Sequence, residues 1–202
     1  MAERGRPRQF DREEALRRAM TLFWSRGYEG ASLGDLTAAM GINKPSLYAA
    51  FGCKEALFRE AVAFYDATEG EPVQRALDSA PTARAAVEAM LRVNADVYAG
   101  PKKPRGCMIV LSSLIGAAEN EELRQFLAGL RRRGEDDLRR RIARGIAEGD
   151  VPSGADARRL AAFYTTVLQG LSIQARDGAS RRALNAIVDD AMAAWGTLVE
   201  AR

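Results

Sequence analysis

The 202-residue sequence contains no histidine and only two cysteines, Cys53 and Cys107. Histidine is the most frequent general acid–base and the commonest metal ligand, so Ser–His–Asp sites, Cys–His sites and His-containing zinc sites are excluded. Two cysteines far apart in the chain indicate no disulfide framework and cannot by themselves complete a shell of soft metal ligands. These absences do not exclude catalysis, but they remove its most frequent side chain, and we expect a protein of a reducing cytosol that is not an enzyme and holds no metal or cofactor.

Long apolar runs are also missing from the sequence. No stretch reaches the roughly 18–20 apolar residues that are needed to span a bilayer, and the N-terminus lacks the apolar segment of a secretion signal. We therefore expect no membrane segment and a cytoplasmic location. Hydrophobic residues still make up 47% of the chain, which is enough to build a globular core.

The sequence has little net charge of either sign, since 30 Lys and Arg residues oppose 27 Asp and Glu residues to give +3. This value does not by itself indicate a nucleic-acid partner. Positive charge is concentrated at the N-terminus, where Arg4, Arg6 and Arg8 oppose only Glu3 among the first eight residues. Composition alone leaves open whether this tail is a solvated, frayed terminus or contacts a partner.

Hydrophobic residues recur with helical periodicity along nearly the whole chain, and sustained period-two alternation is absent. The sequence therefore predicts an all-α protein of about nine helices with a domain boundary near residues 50–70. Asp11 is predicted to begin the first helix and Gly27 to end it. Further helices are predicted over residues 33–40, 44–51, 54–69, 83–98, 107–118, 120–148, 156–176 and 181–199.

Residues 32–54 contain two short helices that are joined by Gly41, Ile42 and Asn43, which is the outline of a helix–turn–helix. Leu47 and Phe51 lie four residues apart and are predicted to pack the second helix against the first. This packing leaves an open face that suits a major groove, although a purely structural helical hairpin has the same outline. The side chains nearest that face are Lys44, Ser46, Tyr48 and Ala49.

The segment from Phe10 to Phe58 resembles the TetR family of bacterial transcriptional regulators. The resemblance rests on a Gly-Tyr pair, a Ser-Leu-x-x-Leu pattern, a Met-Gly-Ile turn and a Ser-Leu-Tyr-x-x-Phe-x-x-Lys-Glu-x-Leu pattern. The residues that carry it are Ala19, Phe23, Gly27, Tyr28, Ser32, Leu36, Ala39, Gly41, Ile42, Ser46, Leu47, Tyr48, Phe51, Lys54, Glu55 and Leu57. The rest of the chain resembles the family in length and in its all-helical layout.

The resemblance implies which residues contact DNA. Lys44, Pro45, Ser46 and Tyr48 would lie on the recognition helix, while Ser32 and Lys54 would contact phosphates at helix N-termini. Many relatives carry a polar or aromatic residue just before the phenylalanine, whereas this chain has Ala49 and Ala50; Ala49 can still touch a thymine methyl group. The resemblance also implies that Arg4, Arg6 and Arg8 form a basic arm for the minor groove or for phosphates.

The resemblance further implies two domains, a DNA-binding domain at residues 1–54 and an effector-binding and dimerisation domain at residues 55–202. In the larger domain, mostly apolar residues would line an effector cavity and favour a small hydrophobic or aromatic ligand, although an ordinary core has the same composition. Asn94, Tyr98, Ser112 and Tyr164 would supply hydrogen bonds. The candidate lining residues are Met90, Asn94, Val97, Tyr98, Met108, Leu111, Ser112, Ile115, Phe126, Tyr164 and Leu168.

The last two predicted helices carry apolar stripes that are wide for the periphery of one subunit. The resemblance implies that they pair with their symmetry mates in a four-helix bundle, which would place two recognition helices on a palindromic site. The candidate dimer-interface residues are Phe163, Val167, Leu171, Leu184, Ile187, Val188, Met192 and Trp195.

Two features allow more than one interpretation. Three consecutive arginines at 131–133 and three more at 139–141 flank the acids at 135–137, which predicts a solvated helix face that neutralises its own charge. Cys107 follows a basic loop at a predicted helix N-terminus, so it is either a buried inert thiol or a sensor of oxidants and electrophiles.

The sequence therefore predicts a homodimeric DNA-binding transcriptional repressor that a small ligand releases from a palindromic operator. One alternative is a repressor that senses oxidants or electrophiles through Cys107. Another is a helical enzyme or adaptor that does not bind DNA.

Overall fold

In a computed structural model, the described residues are 10–101, 103–112 and 120–200. Within these ranges the chain forms helices and no strand, which confirms the predicted all-α fold. The helices are α1 (Arg12–Gly30), α2 (Leu33–Met40), α3 (Lys44–Phe51), α4 (Lys54–Glu69), α5 (Glu71–Ser79), α6 (Ala83–Tyr98), α7 (Met108–Leu111), α8 (Glu121–Glu148), α9 (Ala157–Arg176), α10 (Arg181–Ala193) and α11 (Trp195–Val199).

The first helix begins at the predicted residue and is broken at the predicted glycine. Asp11 accepts hydrogen bonds from the backbone N–H groups of Glu13 and Glu14 at 3.0 and 3.1 Å, which satisfies two unpaired donors of the first turn. Regular helix stops at Gly27, whose φ of 73° and ψ of 175° are not helical, and one more turn follows up to Gly30. The bend brings the Tyr28 ring to 5.2 Å from the ring of Phe58 in α4.

Helix α5 is absent from the sequence prediction, which took Gly70 and Pro72 as an interruption. Pro72 lies in the first turn of α5, where a missing N–H breaks no helical hydrogen bond. The predicted helix over 107–118 is observed as α7, and residues 113–119 lie outside the described residues. The predicted last helix is divided at Ala194 into α10 and α11.

The fold contains two hydrophobic cores. The first lies among α1 to α4 and is completed by Met108, Leu123 and Leu127 from later in the chain. The second lies among α5, α6 and α8 to α11. The boundary after residue 54 remains a prediction, and α4 contributes buried residues such as Leu57 and Phe58 to the first core.

A short connection before α7 joins the two cores. The indole N–H of Trp24 donates a 2.9 Å hydrogen bond to the carbonyl oxygen of Gly106, and the N–H of Cys107 donates a 2.8 Å bond to the hydroxyl oxygen of Ser172. The next residue, Met108, is fully buried in the first core. Gly106 has a φ of +80°, and a Cβ there would lie 2.6 Å from the carbonyl oxygen of Ser172, so the tight approach of α9 requires glycine.

Candidate nucleic-acid interface and internal cavity

The helix–turn–helix is built from strong local signals. The hydroxyl oxygen of Ser32 accepts a 3.1 Å bond from the N–H of Asp35, and the carboxylate of Asp35 accepts a 3.1 Å bond from the N–H of Ser32. This reciprocal capping box starts α2. The turn ends at Asn43, whose side chain accepts a 2.9 Å bond from the N–H of Ser46, and Pro45 in the first turn favours the helical φ.

Packing decides which face of α3 is open. Leu47 and Phe51 are buried against the side chains of Leu36 and Met40 in the first core. The opposite face leaves Tyr48 with 47% of its surface exposed. Lys44, Pro45 and Ala49 are also exposed, and Ser46 is half-buried, so the structure presents the side chains that the sequence analysis placed on the open face.

The two predicted phosphate contacts outside α3 have partners within the protein. The backbone N–H and the hydroxyl of Ser32 both donate to the Asp35 carboxylate, at 3.1 and 2.5 Å. These bonds from Ser32, followed by Arg26 at 3.0 Å, lower the pKa of Asp35, so a negative charge lies beside Ser32 at neutral pH. Lys54 is half-buried, and its Nζ lies 4.3 Å from the centre of the Tyr28 ring. A phosphate at Ser32 would therefore have to replace Asp35 as the acceptor.

Arg4, Arg6 and Arg8 lie outside the described residues. A different arginine supports α3 directly. Arg12 donates a 3.2 Å hydrogen bond to the carbonyl oxygen of Ala50, places its guanidinium 4.4 Å from the centre of the Phe51 ring, and pairs with Glu60 of α4. Arg12 therefore holds the C-terminal end of α3 against α1 and α4.

A cavity of about 530 Å³ lies among α4, α5, α6, α8, α9 and the residues around the start of α7. Its volume is within the range of sites for small molecules. Of the predicted lining residues, Met90, Asn94, Tyr98 and Leu168 lie in its wall, and so does Cys107.

The other predicted lining residues lie elsewhere. Met108 and Phe126 belong to the first core, and Phe126 packs its ring 4.7 Å from the guanidinium of Arg59. Leu111 and Ser112 line a separate recess beside Trp24. The remaining three are Val97, which packs on the second core, Tyr164, whose hydroxyl donates a 3.2 Å bond to the carbonyl oxygen of Ala191, and Ile115, which lies outside the described residues.

Two buried phenols and the Cys107 thiol form a polar corner of the cavity. Burial raises the pKa of Tyr65 and of Tyr98 well above the usual value for tyrosine. The neighbouring Cys107 adds to both shifts, because a thiolate would repel a phenolate and accept a hydrogen bond from the neutral phenol. Both phenols are therefore neutral hydrogen-bond donors throughout the physiological pH range.

The predicted dimer-interface residues have two kinds of environment. Phe163 and Ile187 are 37% and 38% exposed, and Val167 is half-buried. The other five are buried in the protomer's own second core: Leu171, Leu184, Val188, Met192 and Trp195.

The sequence matches the models of two protein families. "Bacterial regulatory proteins, tetR family" matches residues 15–61, which contain α2, the turn and α3. "Tetracyclin repressor-like, C-terminal domain" matches residues 83–189, from the start of α6 into α10. The chain belongs to the TetR family.

Individual TetR-family proteins are similar over almost the whole chain. The HTH-type transcriptional repressor ComR of Escherichia coli K12 is 32% identical over 198 residues, which cover 98% of this chain and 94% of that protein. The repressor BdcR of the same organism is 34% identical over 97% of this chain and 94% of its own length. A cysteine mutant of the regulator CifR, complexed with 26-base-pair double-strand operator DNA, has a TM-score of 0.91 and 50% identity across 94% of this chain and 100% of that chain.

Other features bear on which sites this TetR-family chain offers. Within the described residues, no group of three or more His, Cys, Asp and Glu side chains is arranged to hold a metal ion. None of the described helices is long and apolar enough to cross a membrane.

The sequence analysis of this TetR-family chain missed several residues. Arg12 reaches residues 38 and 48 positions away, a contact for which the sequence has no local signal. Tyr65 and the α5 residues of the cavity wall were also missed. Every predicted lining residue lay at position 90 or later, and α5 was not predicted. The two arginine clusters were expected to be solvated, which is wrong for Arg131 and Arg141. Arg131 is half-buried in the cavity wall, and Arg141 is buried and donates to the carbonyl oxygens of Leu77 and Ala80 at 3.2 and 3.0 Å.

Helical spacing explains the two buried arginines. Arg131 lies seven residues before the buried Leu138 and Arg141 lies three residues after it, so both lie along the face of α8 that packs on its neighbours. Elsewhere in this segment, Arg139 pairs with Asp136 and Arg140 pairs with Asp137, each three residues apart.

Proposed function

We propose that this TetR-family chain is a homodimeric transcriptional repressor that binds a palindromic operator through α3 and leaves it when a small molecule occupies the cavity. The observation that carries the proposal is the orientation of α3. Its buried residues Leu47 and Phe51 hold it in the first core, and its exposed face carries no acidic side chain. ComR and BdcR are named as transcriptional repressors, and the similar CifR chain was solved with operator DNA. The proposed role is regulatory and not enzymatic. We also propose a cytoplasmic location, where the protein would have access to DNA.

The exposed face of α3 has the chemistry for a major groove. Lys44 offers an ammonium group for a phosphate, and the hydroxyl groups of Ser46 and Tyr48 offer hydrogen bonds to phosphates or base edges. Ala49 has only a methyl group, which fits beside the methyl of a thymine. Because few side chains reach base edges in this proposal, sequence-dependent DNA shape also contributes to specificity.

A dimer would bring two copies of α3 to one operator. Phe163 of α9 and Ile187 of α10 form the exposed apolar positions that a second copy would cover. Half-sites of a two-fold dimer are read on successive major grooves, whose centres lie about 34–36 Å apart. A dimer through α9 and α10 therefore predicts a palindromic operator.

The coupling between ligand and DNA would run through α4 and the connection before α7. Tyr65 lies in the cavity wall on α4, and Cys107 lies in the same wall beside Met108, which is buried in the first core. Trp24 of α1 is hydrogen-bonded to Gly106 in this connection. A ligand that displaces these wall residues moves the first core relative to the second and favours the DNA-free arrangement.

Selection of bound genomic fragments with the purified dimer tests the proposal and yields the operator. Fluorescence anisotropy then compares the operator affinity of Lys44→Ala and Tyr48→Ala with that of a control variant, Arg158→Ala. The control removes an exposed, positively charged side chain from α9. We expect loss of sequence-specific binding in the first two variants and wild-type binding in the third. Unchanged specific binding in both α3 variants, with intact helicity, would refute the assignment of α3, and failure to select any sequence would refute the regulatory role.

A second candidate keeps the DNA-binding role but makes the Cys107 thiol the sensor. The supporting observation is its position in the cavity wall, beside two phenols and within the electrostatic range of Arg131. Cys107→Ser would then abolish operator release by thiol-reactive electrophiles and oxidants without changing operator affinity. Cys53→Ser is the matched control, because Cys53 is exposed beside α3. Retained release in Cys107→Ser would eliminate this candidate and leave release by a non-covalent ligand.

A further inference from the structure

Arg131 is a cation in the cavity wall that forms no ion pair with any of the described residues. It lies on α8 and is half-buried, and its Nη1 is shielded from solvent with no hydrogen-bond partner. No carboxylate of the described residues forms an ion pair with it. A guanidinium remains charged and carries five N–H donors, so a buried nitrogen without an acceptor is unfavourable.

Three of the four acidic side chains in the wall of the same cavity are already paired with other basic side chains, and the fourth, Asp66, is exposed and forms no ion pair with Arg131. Glu69 accepts from Lys103 at 2.6 Å, Glu71 pairs with Arg75, and Asp137 pairs with Arg140. These carboxylates leave Arg131 without a counter-ion, although they lie in the wall of the same cavity. Burial, followed by repulsion from Arg132, lowers the pKa of Arg131, and Cys107 opposes this shift.

The rest of the cavity fits a small amphipathic anion. Tyr65, Tyr98, Cys107 and Arg131 line the same cavity, and both neutral phenols have the Cys107 sulfur as a hydrogen-bond partner. Apolar wall is supplied by Met90, Leu77 and Leu168, among others. A carboxylate matches the planar fork of a guanidinium and accepts from phenols at the same time.

We propose that the cavity binds a small organic carboxylate, whose anionic group pairs with Arg131 and whose apolar part lies against α6 and α9. This inference rests on the proposed effector site and names its ligand class. It differs from the hydrophobic or aromatic ligand expected from the sequence by requiring a negative charge at one end. The bound anion would supply the hydrogen-bond acceptor that Nη1 of Arg131 lacks among the described residues.

Calorimetry with the full-length protein tests the charge requirement. The probes are benzoate, phenylacetate and hexanoate, each compared with its uncharged amide of nearly the same shape. Arg131→Met replaces the guanidinium with an apolar side chain of similar reach, and Arg133→Met is the matched control because Arg133 is an exposed arginine of the same cavity wall. Arg131→Gln is the second variant, which keeps a polar side chain without the charge.

We expect the wild type to bind at least one carboxylate roughly tenfold or more tightly than its amide, as is typical of a hydrogen-bonded charge. This preference disappears in both Arg131 variants and persists in Arg133→Met. The melting temperature of ligand-free Arg131→Met equals or exceeds that of the wild type, because a half-buried charge whose Nη1 has no hydrogen-bond partner is removed.

An equal carboxylate preference in the Arg131 variants would overturn the inference, and so would a wild type that binds none of the carboxylates or binds the amides equally well. Operator affinity is measured on the same preparations. A protein that binds operator but shows no carboxylate preference contradicts this inference alone. A protein that prefers carboxylates but selects no operator contradicts the proposed function instead.

Discussion

Replacement of Gly106 by alanine probes the connection between the two cores. A left-handed backbone conformation costs an L-residue about 1–2 kcal/mol, and the lower entropy of the unfolded alanine chain offsets about 0.4–1 kcal/mol of this. The new Cβ would also lie 2.6 Å from the carbonyl oxygen of Ser172 and 2.9 Å from Cδ1 of Leu111. Overpacking of this kind adds about 1–3 kcal/mol, so we expect Gly106→Ala to destabilise the protein by about 2–4 kcal/mol.

Gly149→Ala separates strain from steric clash. Gly149 has a φ of +85°, close to that of Gly106, but a Cβ there would meet nothing within 4 Å. We therefore expect a loss of only about 0.5–1 kcal/mol for Gly149→Ala. Urea unfolding at one fixed protein concentration measures both variants, since the stability of a dimer depends on concentration.

The same pair of variants tests the route from cavity to DNA. Gly106→Ala pushes on Ser172 and on the residues beside Cys107, whereas Gly149 ends α8 away from this connection. We expect Gly106→Ala to change operator affinity in the folded protein and Gly149→Ala to leave it unchanged. Equal destabilisation by the two substitutions would refute the close approach of α9 to Gly106, and unchanged operator affinity in both would refute the route.

Three further predictions concern α2, α3 and the tail. Leu47→Ala should destabilise the protein by about 2–5 kcal/mol in urea unfolding because Leu47 is fully buried, whereas Tyr48→Ala should stay within about 0.5 kcal/mol while operator affinity falls; the reverse pattern would contradict the orientation of α3. Asp35→Asn should destabilise at pH 7, and the difference should shrink as pH falls below 3.8, because hydrogen bonds from Ser32 hold the folded pKa of Asp35 below that value and its stabilisation is lost as the carboxylate protonates; a pH-independent difference in urea unfolding would contradict this. Removal of residues 1–8 should weaken operator binding and flatten its salt dependence, by up to about 0.9 in slope for each phosphate that the tail neutralises; an unchanged slope in salt titrations would show that the tail does not bind DNA.

Much of the helix–turn–helix could be predicted from the sequence because its signals are local. The Ser32–Asp35 cap, the turn at Gly41 and the Asn43 cap each act over a few residues, and the i, i+4 pair of Leu47 and Phe51 determines which face of α3 is buried. The exposed side chains of α3 follow from that pair without reference to the rest of the fold.

The cavity could be predicted only in part. Asn94 and Tyr98 lie on the inward face of α6, which has a clear helical pattern. Helix α5 was missed because Gly70 and Pro72 were read as a break, although proline is well tolerated in a first helical turn. Met108 was assigned to the cavity but lies in the first core, whereas the next two residues of α7, Ile109 and Val110, line the cavity.

Arg131 shows most clearly what the sequence and the tertiary structure each determine. By itself the sequence determined most of the helices, the caps of the helix–turn–helix and the amphipathic face of α3, since these depend on contacts within a few turns. The arginine and acid clusters of α8 have a pattern that local charge pairing explains completely, so nothing in it separates Arg131 from its neighbours. Arg131 is half-buried while Arg133 is exposed because α8 packs against α9 and lines the cavity. Only the tertiary structure decides this difference, since burial depends on which elements approach from distant parts of the chain.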